Sequence, residues 1–381
     1  MTQITNTSLR SILTLAFVCT FPLLTQAQSP YRSKNTHLGV SGSNVQDFTN
    51  AGCCGGTLGS LVTNGTSNYI LSNNHVLARR DKAAPGEDIS QPGLIDNGCR
   101  AATIVADFTA APRLGSNVDA AIAQLRNGLM DTSGFIEGIG TISSVVAAPS
   151  IGLPVAKSGR TTGTTTGTIA SLNTSVYVQY QDRCGRGRSF VVSYVNQIVI
   201  NGSGFSAGGD SGSLIVTSSS CHQPVGLLFA GSSSSTLANP IGEVLSKVGS
   251  SLGQSVRFVG GTCTSTVAEP SSTVAQQSSG QGLEPPQQAM DQAKGLPQQA
   301  IDHAKRIPQQ AIDHAGRMLE QNRHDLMSKP GVVGVGLGKL EDNSQAAVIV
   351  YVDKTKAKPV LPERVDDVPV RVILTDPFVA Y

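Results

Sequence analysis

The stretch that decides the fold is Gly208-Gly-Asp-Ser211-Gly-Ser-Leu-Ile215, in which a serine lies between glycines directly before an apolar run. A second stretch, Leu71-Ser-Asn-Asn-His75-Val-Leu-Ala78, places a histidine at the end of an apolar run. A third stretch, Asn117-Val-Asp119-Ala-Ala-Ile-Ala-Gln-Leu125, places an aspartate before another apolar run. Each stretch alone is ambiguous, because such a histidine is usually structural and such an aspartate is usually a helix cap or part of a turn. A Gly-Asp-Ser-Gly sequence can also be no more than a tight turn.

The three polar residues together have the chemistry needed to hydrolyse an amide without a metal. A serine hydroxyl is a weak nucleophile, so Ser211 needs a base to take its proton. Histidine suits this role because its ordinary pKa of about 6.5 lets it accept and return a proton near neutral pH, which points to His75. Asp119 would hold the imidazole in the right tautomer. The backbone N–H groups of Gly209 and Ser211 would form an oxyanion hole.

The order and spacing of these residues separate two classes of hydrolase. His75 precedes Asp119 by 44 residues, and Asp119 precedes Ser211 by 92. The chymotrypsin order is also His, Asp, Ser, with gaps of about 45 and about 93 residues. An esterase of the α/β-hydrolase type runs Ser, Asp, His around a Gly-x-Ser-x-Gly elbow. Here the serine comes last, within Gly209-Asp-Ser-Gly212, so the esterase is excluded.

The region from roughly Gly39 to Val248 resembles the chymotrypsin/trypsin clan of serine peptidases, most closely its bacterial trypsin-like members. Cys54-Gly-Gly-Thr-Leu58 looks like the family's strand before the catalytic histidine. Pro224-Val-Gly-Leu-Leu-Phe-Ala-Gly231 looks like the strand that lines the substrate cleft. The resemblance implies a mainly β domain of two barrels with the site between them. It also implies that the backbone at Phe229, Ala230 and Gly231 pairs with a bound peptide as an added strand.

The chain departs from the family pattern at several positions. Val76 stands where relatives often have a cysteine, so Cys54 lacks its usual partner. Phe229 stands where many relatives have a serine that supports the aspartate. No Ile-Val-Gly-Gly start follows a basic cleavage point, so activation by a freed N-terminus is not expected. Phe205, six residues before the nucleophile, replaces the acid of trypsin. We therefore expect Phe205 to line a substrate pocket that prefers small or apolar side chains.

Composition limits the class of protein. Charged residues make up 14% of the 381 residues and the net charge is +2, so no nucleic-acid partner is expected. Residues 36–260 contain short β-branched runs, such as Tyr69–Leu71, Val176–Tyr180 and Val225–Phe229, divided by Gly, Asn, Ser and Pro. This pattern predicts an all-β domain, here the trypsin-like two-barrel domain. One helix is predicted in it, over Ile241–Val248.

The N-terminus has the features of an export signal, residues 1–27. Arg10 precedes an apolar stretch from Ser11 to Leu24, and Thr25-Gln26-Ala27 supplies small residues at the cleavage positions. The stretch is too short for a spanning helix, and no other segment is long and apolar enough to span a membrane. We therefore expect an exported protein, periplasmic or extracellular.

Six cysteines remain after removal of the signal: Cys53, Cys54, Cys99, Cys184, Cys221 and Cys263. An even number in an exported chain permits several disulfide connectivities. Because Cys184 and Cys221 both lie in polar loops between strand-like runs, a bond between these two is favoured. No Cys-x-x-Cys or Cys/His cluster has metal-ligand spacing, so neither a metal nor another cofactor is expected.

The chain changes character after the β-rich region. Residues 261–285 are a Ser/Gln-rich linker. Residues 286–318 hold three copies of an 11-residue amphipathic unit whose apolar positions fall on one helical face. The pairs Asp302-His303 and Asp313-His314 in these repeats lack metal-ligand spacing. Residues 319–381 are predicted to form a small α+β accessory module that docks on the first domain or recruits substrates, with a passive domain as the alternative.

The leading hypothesis is an exported serine endopeptidase that acts on protein or peptide substrates through an acyl-enzyme at Ser211. The alternative belongs to another class: a peptidase-like module that has weak or no turnover but binds extended peptides. The complete set of three residues favours the enzyme, whereas Phe229 keeps the alternative open.

Overall fold

The computed structural model describes residues 29–262 and 307–381 of the chain. The expected export signal, nearly all of the predicted linker and the first two repeats except Ile307 lie outside these residues. The described chain is mainly β, and most of its strands belong to two large sheets.

The first large sheet is built from the N-terminal part of the chain. Its strands are β1 (Val40–Asn44), β4 (Gly56–Leu58), β5 (Ser60–Thr63), β6 (Asn68–Ser72), β7 (Asp88–Gln91), β8 (Thr103–Ala110), β9 (Ala121–Leu125) and β18 (Arg257–Phe258). They follow the order β18-β5-β6-β9-β8-β7-β1-β4, with antiparallel neighbours. Leu58, Leu61, Ile70 and Ile122 lie in its buried core.

The second large sheet combines strands from both described parts of the chain. From the first part come β12 (Pro154–Gly159), β13 (Gly163–Arg183), β14 (Arg186–Asn201), β15 (Leu214–Thr217), β16 (Pro224–Gly231) and β17 (Ser235–Pro240). From the second come β19 (Val332–Lys339), β20 (Ala346–Asp353), β21 (Arg364–Val365), β22 (Val368–Thr375) and β23 (Phe378–Ala380). The order is β12-β15-β16-β17-β14-β13-β19-β20-β22-β21, and β23 pairs with β13 and β16. The predicted mainly β class is confirmed, and the two sheets agree with a chymotrypsin-like two-barrel arrangement.

The remaining described elements are short or lie outside the large sheets. They are α1 (Asn74–Leu77), α2 (Ile241–Leu252), α3 (Gln309–Ser328), a 3-10 turn (Leu94–Asp96) and the strand pairs β2 (Phe48–Thr49) with β3 (Gly52–Cys53) and β10 (Phe135–Ile136) with β11 (Gly140–Thr141). The predicted helix over Ile241–Val248 is confirmed and continues to Leu252, where Gly253 ends it with φ 75°. None of the helices described is long and apolar enough to cross a membrane.

A long hairpin formed by β13 and β14 dominates the second sheet. The two strands have 21 and 16 residues. Their pairing shifts register near Ser171 and Thr174, and Asn173 and Asn196 take φ values of 49° and 59°. Such irregularities bend strands and increase their twist. The base of the hairpin lies in the second sheet, while its tip contacts the segment between Thr49 and Cys54.

A disulfide fixes the tip of this hairpin. Cys184 is bonded to Cys54, with the two Cα atoms 5.6 Å apart, and Cys53 is bonded to Cys99. The predicted bond between Cys184 and Cys221 is therefore wrong, and Cys221 is disulfide-bonded elsewhere. The polarity of the two loops did not indicate the disulfide partner of Cys184, because the long hairpin places Cys184 beside the segment before β4. Cys54, which lacks the family's usual partner, thus has another.

The C-terminal part packs a helix and a glycine-rich strand against β13. α3 covers the third repeat and continues beyond it, and its buried residues Ala315 and Leu319 pack against β19 and β20. β19 pairs antiparallel with β13. A Cβ on Gly336 would come within 2.3 Å of Thr174 Oγ1, and one on Gly338 within 2.8 Å of the Ala170 carbonyl oxygen. The glycines of this strand are therefore close-packing residues.

Candidate active site

His75 and Asp119 lie side by side because the strands next to them pair. β6 ends at Ser72 and β9 begins at Ala121, and these two residues are register partners. His75 follows β6 closely and Asp119 precedes β9. Asp119 Oδ2 lies 2.6 Å from His75 Nδ1, and Asp119 Oδ1 accepts a 3.1 Å hydrogen bond from the His75 backbone N–H. The carboxylate thus fixes the imidazole and leaves Nε2 for another partner.

Asp119 is completely buried, and a tyrosine supports it. The Tyr180 hydroxyl donates to Asp119 Oδ2 over 2.8 Å and lies 2.7 Å from the Tyr194 hydroxyl. Burial, followed by the charge of Asp119, raises the pKa of Tyr180 well above its ordinary value, so this hydroxyl stays a donor. Asn239 Oδ1 accepts from the Asp119 backbone N–H at 2.9 Å. The support that Phe229 put in doubt is therefore supplied from β13.

Ser211 lies in a tight loop between β14 and β15. Gly209 and Gly212 in this loop have φ values of 98° and 93°, where only glycine is unstrained. A Cβ on Gly209 would come within 2.6 Å of Thr161 Oγ1, and one on Gly212 within 2.3 Å of the Thr57 carbonyl oxygen. The Thr57 hydroxyl donates to the Gly209 carbonyl oxygen at 3.0 Å. The loop that carries the predicted oxyanion hole is thus fixed by close contacts.

A second buried acid, Asp210, anchors the same loop. Its carboxylate accepts hydrogen bonds of 2.7 Å from the Thr161 backbone N–H and from the Thr162 hydroxyl. Lys157 Nζ lies 3.3 Å from Asp210 Oδ2, and both side chains are fully buried. Burial lowers the pKa of Lys157, while the charge of Asp210 opposes that shift. An internal lysine therefore lies where it can balance the charge of Asp210.

His75 and Ser211 share one hydrogen-bond partner, the carbonyl oxygen of Tyr381. This oxygen lies 2.8 Å from His75 Nε2 and accepts a 2.9 Å hydrogen bond from Ser211 Oγ. Nε2 and Oγ are therefore separated by no more than the sum of these two distances. Ser211 Oγ also lies 3.2 Å from the Phe229 carbonyl oxygen. The structure brings His75, Asp119 and Ser211 into one cluster between the two sheets.

The residues predicted to bind substrate lie on β16 and beside the Ser211 loop. The Phe229 side chain is buried against Tyr194, with ring centroids 4.9 Å apart, so Phe229 offers its backbone to the cleft. Ala230 and Gly231 are register partners of residues in β23. Phe205 is buried in the cluster on which the Tyr381 side chain packs.

A cavity of about 540 Å³ opens beside His75. Arg80 and Arg160 are among the residues that line it. Arg80 forms an ion pair of 2.5 Å with Asp47, and Arg160 one of 2.6 Å with Asp96. The volume lies within the range of about 300–1,000 Å³ found for ligand pockets. The cavity thus offers space next to the imidazole, and Arg80 and Arg160 are already paired with acids.

No group of three or more His, Cys, Asp or Glu side chains is placed to hold a metal within residues 29–262 and 307–381. Of the two pairs considered from sequence, Asp302-His303 lies outside the described residues. In the other pair, His314 Nε2 lies 2.6 Å from Asp367 Oδ1.

Sequence reasoning missed three residues that the structure adds to the cluster. Tyr180 is a buried-face residue of β13, where Val176, Val178 and Tyr180 alternate with more exposed positions. Lys157 is the one charged residue within the buried stretch of β12. A lysine inside a strand-like run is a signal that could have identified it. Tyr381 carries no signal in its sequence neighbourhood.

Neither a protein-family model nor a curated protein sequence matches the chain. Among solved structures, it is similar to chymotrypsin-like bacterial serine proteases. A glutamic acid specific serine protease is 22% identical with a TM-score of 0.41, over 58% of this chain and 98% of that one. Thermobifida fusca Protease A is 19% identical and Cellulomonas bogoriensis chymotrypsin 17%, both with a TM-score of 0.40, over 59% of this chain and 99% of theirs.

Proposed function

We propose that this chain is an exported serine endopeptidase that cleaves protein or peptide substrates through an acyl-enzyme at Ser211. One observation carries the proposal. His75 Nδ1 lies 2.6 Å from Asp119, while His75 Nε2 and Ser211 Oγ reach the same oxygen at 2.8 and 2.9 Å. An acid on one nitrogen of an imidazole orients the ring so that the other nitrogen can take a proton from a serine hydroxyl, and here that nitrogen and the hydroxyl contact the same oxygen.

In the first half of the reaction, Ser211 Oγ attacks the substrate carbonyl carbon and its proton moves to His75 Nε2. The carbonyl electron pair moves onto oxygen, where the N–H groups of Gly209 and Ser211 stabilise it. His75 then gives the proton to the amine nitrogen, the C–N bond breaks, and the acyl group stays on Ser211. Asp119 stabilises the imidazolium, and Tyr180 holds Asp119 in position.

In the second half, water replaces the amine. His75 takes a proton from water as the water oxygen attacks the ester carbon. The bond to Ser211 Oγ then breaks, His75 returns the proton to that oxygen, and the acid product leaves. The cycle restores every group of the site, so no cofactor is consumed.

The substrate is proposed to bind as an extended strand along β16. The backbone groups of Phe229, Ala230 and Gly231 would hold this strand, and Phe205 would lie beneath its pocket. A strand bound through its backbone gives affinity for many sequences, while the pocket supplies preference for one side chain.

An irreversible fluorophosphonate probe tests the proposal, because it accumulates on an activated serine even when the cleft is open only part of the time. The wild type is expected to be labelled, and Ser211→Ala to lose the label. Ser220→Ala, a matched change at an exposed serine, is expected to be labelled like the wild type. Circular dichroism checks that all three are folded. A folded wild type without label would overturn the proposal and favour the peptide-binding module.

We also propose export and docking of the C-terminal module onto the peptidase domain. Export is supported by the disulfides Cys53–Cys99 and Cys54–Cys184, since such bonds persist in oxidising compartments. Docking is supported by the pairing of β19 with β13. It is further supported by a 2.8 Å hydrogen bond between the hydroxyls of Ser171 and Tyr351.

A further inference from the structure

β23 lies between two strands of the second sheet, in a slot one strand wide. It pairs antiparallel with β16, where Ala380 is opposite Ala230. On its other edge it pairs parallel with β13, where Val379 is opposite Gln179. A strand in such a slot finds backbone hydrogen-bond partners on both sides. A peptide from another molecule would need the same slot.

The direction of β23 matches the acyl side of a substrate. The Tyr381 N–H donates to the Phe229 carbonyl oxygen at 3.4 Å. The Tyr381 carbonyl oxygen lies against Ser211 Oγ and His75 Nε2. A backbone oxygen of Tyr381 therefore occupies the space between the imidazole and the serine hydroxyl, which a substrate's reacting group has to enter.

The Tyr381 side chain fills a pocket beside the Ser211 loop. Its hydroxyl donates to the Ser232 carbonyl oxygen at 3.0 Å, and its ring packs on the buried cluster that contains Phe205. Gly231 makes room for it, since a Cβ there would come within 2.3 Å of the tyrosine hydroxyl oxygen. Burial raises the pKa of the Tyr381 phenol, as for a ring removed from water. The pocket thus has room for an aromatic side chain.

We propose that residues 378–381 are a tethered occupant of the substrate cleft that keeps competing peptides out, and that the cleft prefers an aromatic residue on the acyl side of the bond to be cleaved. This inference rests on the proposed function, because exclusion of a substrate has meaning only for a cleft that takes one. The occupancy itself is independent of turnover.

Contacts around β23 hold the segment in place. The Thr375 hydroxyl donates to Ser232 Oγ at 2.7 Å, and the buried Phe378 ring packs against Tyr351 with centroids 5.8 Å apart. A tethered peptide has an effective concentration of about millimolar. A segment that binds with a Kd of about 0.1 mM when free would then weaken the binding of a competitor about tenfold.

The decisive experiment measures binding to inactive protein, so that turnover does not affect it. Ser211→Ala is made in the full chain and in a chain that stops at Pro377, which removes all four residues of the proposed occupant. Circular dichroism checks that the shortened chain is folded. A fluorescein-labelled peptide with the sequence of residues 376–381 is titrated against both and followed by anisotropy. It is expected to bind the shortened chain at least about tenfold more tightly. Equal binding to both chains, or no binding to the shortened one, overturns the proposal.

A second peptide, with alanine in place of the final tyrosine, tests the aromatic preference. It is expected to bind the shortened chain at least about tenfold more weakly, because burial of the ring is lost. Equal binding of the two peptides overturns the preference. Val360→Ala in the full chain, at a side chain 94% exposed, is the control. A tenfold gain in peptide binding there would show that any change in the module opens the cleft, against the proposal.

Hydrolysis by the same two chains with Ser211 intact separates this inference from the proposed function. The substrate is a peptide p-nitroanilide with phenylalanine on the acyl side. A shortened chain with kcat/KM at least about tenfold higher than the full chain supports both proposals. Equal hydrolysis leaves the peptidase in place and overturns the tethered occupant. Tighter peptide binding without hydrolysis or probe labelling retains the occupant and overturns the peptidase.

Discussion

The two sides of the site rest on two fully buried carboxylates with different partners. Asp119, on the side of the first sheet, accepts hydrogen bonds from His75 and Tyr180. Asp210, on the side of the Ser211 loop, faces Lys157 and accepts hydrogen bonds from the loop around Thr161. Asp119 is in contact with an imidazole and a phenol, whereas Asp210 is in contact with a lysine amine, a threonine hydroxyl and backbone amides.

The difference follows from what each acid has to do. The proposed partner of Asp119 gains a positive charge during the reaction, and a fixed cation beside Asp119 would weaken its stabilisation of that charge. Asp210 holds the backbone of the Ser211 loop in one conformation, and Lys157 offsets the cost of burying its carboxylate. The two aspartates thus differ in proposed role, since Asp119 would stabilise a charge that forms during the reaction, whereas Asp210 fixes the loop.

Asp119→Asn removes the carboxylate beside His75 and is expected to have the largest effect on activity. The amide holds the wrong imidazole tautomer, so kcat on a peptide ester should fall about 10⁴-fold. Unfolding in urea should show that the variant is folded. Asp107→Asn, at a half-exposed partner of Arg126, is the control and should keep wild-type kcat. A loss of kcat as small as about tenfold would contradict the assigned role.

Lys157→Met removes the ion pair with Asp210 and is expected to act mainly on the stability of the fold. It leaves Asp210 buried without its counter-charge, which should lower the free energy of unfolding by about 3–5 kcal/mol. The measurement is urea unfolding followed by circular dichroism. Lys358→Met, at an exposed lysine, should leave the unfolding midpoint unchanged. If both variants unfold at the wild-type midpoint, the ion pair does not anchor the loop.

Tyr180→Phe leaves the Asp119 carboxylate in place and removes only one of its donors, so it is expected to have the smallest effect. It removes one hydrogen bond to a charged acceptor, worth about 1.5–3 kcal/mol. If about half of that stabilisation is lost in the transition state, kcat should fall about tenfold with KM unchanged. Tyr177→Phe, on the same strand but 41% exposed, is the matched control. A rise in KM at constant kcat would instead mean that Tyr180 acts on substrate binding.

Much of the site could be predicted because its chemistry lies in short local patterns. The stretches around His75, Asp119 and Ser211 each contain a functional residue type at the edge of an apolar run, and their order narrows the class of hydrolase. The glycines of the Ser211 loop announce a turn that other residues could not make. The β-branched runs likewise predict the mainly β class, because strand patterning is local.

Tertiary structure alone decided the partners of these residues. Tyr180 reaches Asp119 across 61 positions of the chain, and Lys157 reaches Asp210 across 53. The Cys54–Cys184 bond depends on the bend of the β13–β14 hairpin. The position of Tyr381, which is 170 positions from Ser211 in the chain, depends on the path of β23. A linear pattern shows which residue could react. Which groups surround it depends on how distant strands pack, because burial and hydrogen bonding are properties of the assembled sheets.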